Sequence, residues 1–190
     1  MKLRKNYLVT AIVAIIVIGG ALSFTIYQFY KQSRLATDRI ITEHIEQLVT
    51  AYTKIEEDCE ILHILHERNY IDFLNVRSFS GSEVGSLNLV RPERWSGPYM
   101  LDNPTMQGKL YEIVHIKGGY YIVPGQGVKL TNGKVIGKDI IFDNTTDMNA
   151  LIKSADLVYQ DKPLVAPMPS KERVVAPDLL MESERYDSEA

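Results

Sequence analysis

The chain has 190 residues, 24 % of them charged, and a net charge of −3 at neutral pH. That near-balance, with no basic patch beyond the N-terminus, excludes nucleic-acid binding driven by phosphate neutralisation. The single cysteine, Cys59, excludes an intramolecular disulfide.

Residues 1–6 form a short basic leader carrying Lys2, Arg4 and Lys5. From Tyr7 to Tyr30 no charged residue occurs. At about 1.5 Å per residue that run covers a hydrocarbon core of about 30 Å, which predicts a transmembrane helix over 7–30. Tyr7 at one edge, and Tyr27, Phe29 and Tyr30 at the other, suit membrane–water interfaces. The cations on the short side orient the N-terminus toward the cytoplasm. The expectation is a single-pass protein of the cell (inner) membrane, its C-terminal domain extracytoplasmic or periplasmic. A rival reading is a cleavable secretory signal, because Ala21-Leu22-Ser23 has a small-x-small form.

No Pro or Gly occurs between Ala21 and Arg77. Ile41, Ile45, Leu48, Tyr52, Ile55, Cys59, Leu62 and His66 recur at spacings of four and three, the mark of one helical face. An extracytoplasmic amphipathic helix is predicted over 31–70, ending near Asn69 and continuous with the apolar run. The same spacing is a heptad, so a coiled coil competes. The flanking positions lack complementary charge rows, and a face holding Tyr, Cys and His suits packing against a sheet of the same chain.

A loop and antiparallel β domain is predicted over 71–162. Ser78 to Asn88 reads as a surface connection. Lys109 to Ile116 and Tyr120 to Val123 flank Lys-Gly-Gly as a hairpin, and Gly127 to Leu130 and Lys134 to Phe142 flank Asn132-Gly133 as a second. Thr146 to Ala155 reads as a short helix capped by Thr146 or Asp147. Residues 163–190, rich in Pro, Ser and Glu, read as a disordered acidic tail.

Little here points to chemistry. Cys59, His63, His66 and Glu56 or Glu67 lie at helical spacings, but one helix converges such ligands on zinc only in part. Asp139, Asp143, Asn144 and Asp147 are the candidate calcium ligands, against the plainer reading of helix capping and a solvated turn. No phosphate loop, Gly-x-Ser-x-Gly or other catalytic signature is present. The expectation is a protein that is not an enzyme and holds no cofactor. Trp95, the sole tryptophan, sits among Pro92, Gly97, Pro98, Tyr99 and Pro104, which predicts an ordered loop with the indole packed beneath it.

Trp95, Gly97-Pro98-Tyr99-Met100, Asn103-Pro104, Gly108 and Tyr111, preceded by Gly85-Ser86-Leu87-Asn88-Leu89-Val90-Arg91-Pro92, resemble the loop of type IV pilin-like proteins, in particular the major pseudopilin of type II secretion. Tyr27-Gln28-Phe29-Tyr30 and Arg34 resemble the point where that family's helix leaves the membrane. The family's leader Gly and the Glu that follows it have no counterpart in this chain. The resemblance implies an α+β fold, with a long N-terminal transmembrane-plus-amphipathic helix packed on a small antiparallel sheet. It further implies a structural part of a pilus-like or type II secretion apparatus serving protein transport. Its partners would be the membrane and copies of itself or other pilin-like subunits. The alternative is a membrane-tethered extracytoplasmic module that captures a ligand or partner through the Trp95 loop.

Overall fold

The computed structural model describes residues 2–169, with side chains of the first helix described over 12–28 and 36–59. The helix α1 runs Lys2–Cys59. Chain contacts separate two compact units, Met1–Thr37 and Asp38–Ala190, so α1 contributes to both.

Within the second unit the predicted apolar face is the core face. Ile41, Leu48, Tyr52, Ile55 and Cys59 are fully buried and Ile45 nearly so. Recurrence every three or four residues aligns them along one side of the helix. The helix stops at Cys59 rather than near Asn69. Glu60 adopts a left-handed conformation (φ 57°) and its N–H still reaches the Glu56 carbonyl at 3.1 Å. The Glu56 carboxylate then accepts the Ile61 N–H at 2.8 Å, which turns the chain into a strand. Leu62 and His66, predicted to continue the helical face, are exposed.

The strands are short: β1 Ile61–Ile64, β2 Arg68–Tyr70, β3 Glu83–Val84, β4 Leu87–Leu89, β5 Thr105–Met106, β6 Lys109–Leu110, β7 Glu112–Ile116, β8 Gly119–Val123, β9 Val158–Tyr159, β10 Lys162–Pro163 and β11 Ala166–Pro167. They form antiparallel sheets ordered β1-β4-β3 and β11-β8-β7-β2, with β5–β6 and β9–β10 as small hairpins. The Lys117-Gly118 turn closes β7 on β8 with Ile116 opposite Gly119, as the sequence suggests. In β7 both Ile113 and Val114 are buried, so this central strand is covered on both faces. Around Asn132-Gly133 the turn forms, but only as an isolated Lys129–Val135 bridge rather than a full hairpin. A second helix, α2 (Met148–Lys153), is capped by the Asp147 carboxylate on the Ala150 N–H at 3.2 Å.

The fold is thus α+β with small antiparallel sheets, and three expectations are corrected. The transmembrane helix over 7–30 is the first: among the described residues no helix is long and apolar enough to cross a membrane. The described stretch includes Gly19, Gly20, Ser23, Thr25 and Gln28, which dilute its apolar character. With it goes the second, the single-pass inner-membrane placement with a cytoplasmic N-terminus and a periplasmic domain. The third concerns the tail. Residues 163–168 pair in β10 and β11 and bury Leu164, Val165 and Met168; residues 170–190 lie outside the described residues.

Two polar links lock the second unit. Glu112, buried in β7, meets the Arg68 guanidinium, and its other oxygen accepts the Gln126 N–H at 3.1 Å. The Asp38 carboxylate, 5 % exposed, accepts the Thr131 N–H at 3.0 Å, tying α1 to the Asn132-Gly133 turn.

Candidate functional site

The Trp95 loop begins with Pro92 at the head of a single 3₁₀ turn, Pro92–Arg94, where its missing N–H costs nothing. The Trp95 backbone N–H closes that turn onto the Pro92 carbonyl at 3.1 Å, and the indole N–H donates to the Val76 carbonyl at 3.1 Å. Phe79 and Tyr99 meet the indole edge-to-face, with ring centres 5.3 and 4.7 Å away. Tyr99 is fixed in turn. Its hydroxyl accepts the Ser96 N–H at 3.3 Å and lies 4.0 Å from the Cys59 sulfur, while the Lys54 ammonium sits 5.7 Å over its ring. Burial raises the pKa of both the Tyr99 hydroxyl and the Cys59 thiol above their ordinary values. The far end is held by Asn103, which accepts from the Leu74 N–H at 2.9 Å and donates to the Asp72 carbonyl at 2.7 Å.

This braced loop stands beside α1 and leaves an open groove of about 820 Å³ between them. One wall is the helix, with Glu43, Glu46, Gln47, Thr50 and Lys54; the other is Pro98 to Asp102. Leu101, 90 % exposed, is the barest large apolar side chain among the described residues. Two of the groove's carboxylates are already paired, Glu43 with Arg39 at 3.2 Å and Glu46 with Lys162 at 2.7 Å. A smaller groove of about 400 Å³ lies between α1 and the β10–β11 segment, lined chiefly by Ile45, Val49, Pro163 and Val165.

The expected motif residues do not all meet. Trp95, Gly97, Pro98 and Tyr99 form the braced loop. Pro104 is buried beyond it, and Gly108 (φ 72°) turns the exposed β5–β6 hairpin. Tyr111 is buried elsewhere, its hydroxyl 3.1 Å from His44 Nδ1. The acidic candidates serve the backbone. Asp139 accepts the Val135 N–H at 2.9 Å, Asp143 takes the Thr145 N–H and both threonine hydroxyls, Asp147 caps α2, and Asn144 is exposed. Those threonine bonds pull the Asp143 pKa below the usual carboxylate value. The zinc candidates separate where the helix ends, Cys59 being buried and His66 exposed. Among the described residues no group of three His, Cys, Asp or Glu is placed to hold a metal ion.

Sequence reasoning singled out Trp95 and missed the groove. Leu101 carried a faint signal as an apolar residue in a loop bounded by prolines, and the helix wall carried none beyond its polar character. No protein-family model, curated protein or solved structure matches this chain. The pilin-like and pseudopilin labels, with type II secretion and protein transport as their setting, are accordingly corrected: no family finding carries them.

Proposed function

We propose that this chain is a non-enzymatic structural subunit that joins copies of itself, through its long helix, into a pilus-like assembly. One observation carries the reading. In the first unit Ile12, Val13, Ile15, Ile16, Val17, Ile18, Leu22, Phe24, Ile26 and Tyr27 are each between 49 % and 70 % exposed. A contiguous apolar surface of that kind marks a place where another molecule sits, and burying it against like helices releases ordered water along its length. Ile15, Ile18, Leu22 and Ile26 lie at spacings of three and four and share a face. Replacing all four by Ser leaves the melting temperature of the second unit unchanged and converts the full chain from concentration-dependent oligomers to monomers in sedimentation velocity. A parent chain that stays monomeric, or that is recovered only on lipid vesicles, overturns the proposal.

The groove favours a second reading, a binding module. The bare Leu101 side chain would receive a partner while Trp95 braces the wall behind it.

A further inference from the structure

We infer that the smaller groove, between α1 and the β10–β11 segment, is covered by the chain's own C-terminal stretch Val174-Val175-Ala176-Pro177. Ile45, Val49, Pro163, Val165 and Ala166 give the groove its apolar lining. The two charged residues that line it, Glu46 and Lys162, are paired with one another at 2.7 Å. It therefore offers an ion or a charged segment no unpaired partner, and burying apolar surface is what it can reward. The sequence holds an occupant of that character close by. Leu164-Val165-Ala166-Pro167 recurs ten residues on as Val174-Val175-Ala176-Pro177. The first copy already packs on this side of the second unit: Leu164 and Val165 are buried, and Ala166 and Pro167 pair with β8 as the edge strand β11. The second copy repeats that succession of shapes. It is uncharged, it is bounded by Arg173 and Asp178, and its adjacent β-branched valines favour extended chain, which suits a narrow groove. Connectivity favours the same chain over another. Ala166 lies in the groove wall, and Val174 follows it after a short link that includes residues 170–173. From Pro169 to Val174 the chain reaches roughly 15 Å, enough to turn back along Val165 and Ala166. So short a tether holds the stretch at an effective concentration on the order of millimolar, ahead of any free partner. The groove's volume of about 400 Å³ accommodates a few apolar side chains.

Hydrogen exchange and cysteine trapping on the full chain test this. The amides of Val174, Val175 and Ala176 exchange on the order of tenfold more slowly than in a free peptide of the same sequence. Exchange at the free-peptide rate overturns the inference. For trapping, Val49→Cys and Val175→Cys are placed on one chain and oxidised with oxidised glutathione; the native Cys59 is buried and stays apart from the reaction. A disulfide forms within the chain. With Gln47→Cys in place of Val49→Cys it forms on the order of tenfold more slowly, because Gln47 lines the other groove. Equal trapping at both positions would mean that the stretch has no preferred seat. A mixture of chains carrying only Val49→Cys with chains carrying only Val175→Cys stays uncrosslinked. A disulfide formed as readily between chains as within one would put a second copy in the groove and overturn the assignment to the chain's own stretch.

Discussion

Gly97 shows how tightly the Trp95 loop is closed. A Cβ there would lie 2.3 Å from the Val76 carbonyl oxygen and 2.5 Å from the indole nitrogen, the two partners of the Trp95 hydrogen bond. Gly97→Ala therefore pries the indole off its acceptor, and Trp95→Ala removes the ring on which Phe79 and Tyr99 rest. The indole is half-buried, so its loss costs about 3 kcal/mol, the low end for tryptophan truncation. Both variants lower the urea midpoint of the chain. As Trp95 is the sole tryptophan, Gly97→Ala also shifts the fluorescence toward the red. An unchanged midpoint in Trp95→Ala would show that the ring does not brace the fold. The sequence disclosed this bracing role through its prolines and glycine. It could not disclose that Leu101, a few positions on, points away from the core.

At the scale of the element, the stripe on α1 decides stability. Leu48 and Ile55 are fully buried among sheet and loop residues, so Leu48→Asp or Ile55→Asp places an unpaired charge in the core at a cost of about 3–5 kcal/mol. The exposed Glu57→Ala leaves the thermal melt where it was. Equal melting of all three would mean that the stripe is not core. His44, on the same helix, adds a pH dependence. Burial, opposed by Glu43, lowers its pKa below the usual 6.5. As pH falls, the unfolded chain takes up the proton first. The contribution of neutral His44 is therefore present above about pH 6.5 and is lost as pH drops toward the folded value. Urea midpoints at about pH 7.5 and about pH 5 should differ less in His44→Gln than in the parent; an equal difference removes His44 as a source. The stripe was legible because a 3.6-residue period leaves a regular trace. Its end was not, because the left-handed turn is taken by Glu60 rather than glycine and is secured by the Glu56 side chain. Residues 163–168 misled for a related reason. Their proline content suggests a tail, yet Pro167 lies on β11, an edge strand of its sheet, where a missing N–H is tolerated.

For the whole molecule, the boundary between Thr37 and Asp38 separates two different tasks. The core cluster begins at Ile41 and draws every one of its members from the second unit, while the described side chains of residues 12–27 are exposed. Stability thus belongs to Asp38–Ala190, and the bare apolar surface on which the proposed assembly rests belongs to the first unit. Cutting there also leaves a favourable helix start. Asp38 would lie in the first turn, where a carboxylate interacts well with the free N–H groups and the positive end of the helix dipole. Its side chain already accepts the Thr131 N–H, and the Thr42 hydroxyl bonds its carbonyl at 3.0 Å. A fragment of residues 38–190 should therefore melt cooperatively within a few degrees of the full chain and sediment as a monomer at concentrations where the full chain assembles. Cooperative folding with persistent self-association would move the assembly surface into the second unit. Loss of cooperative folding would mean that the core depends on contacts from residues 1–37.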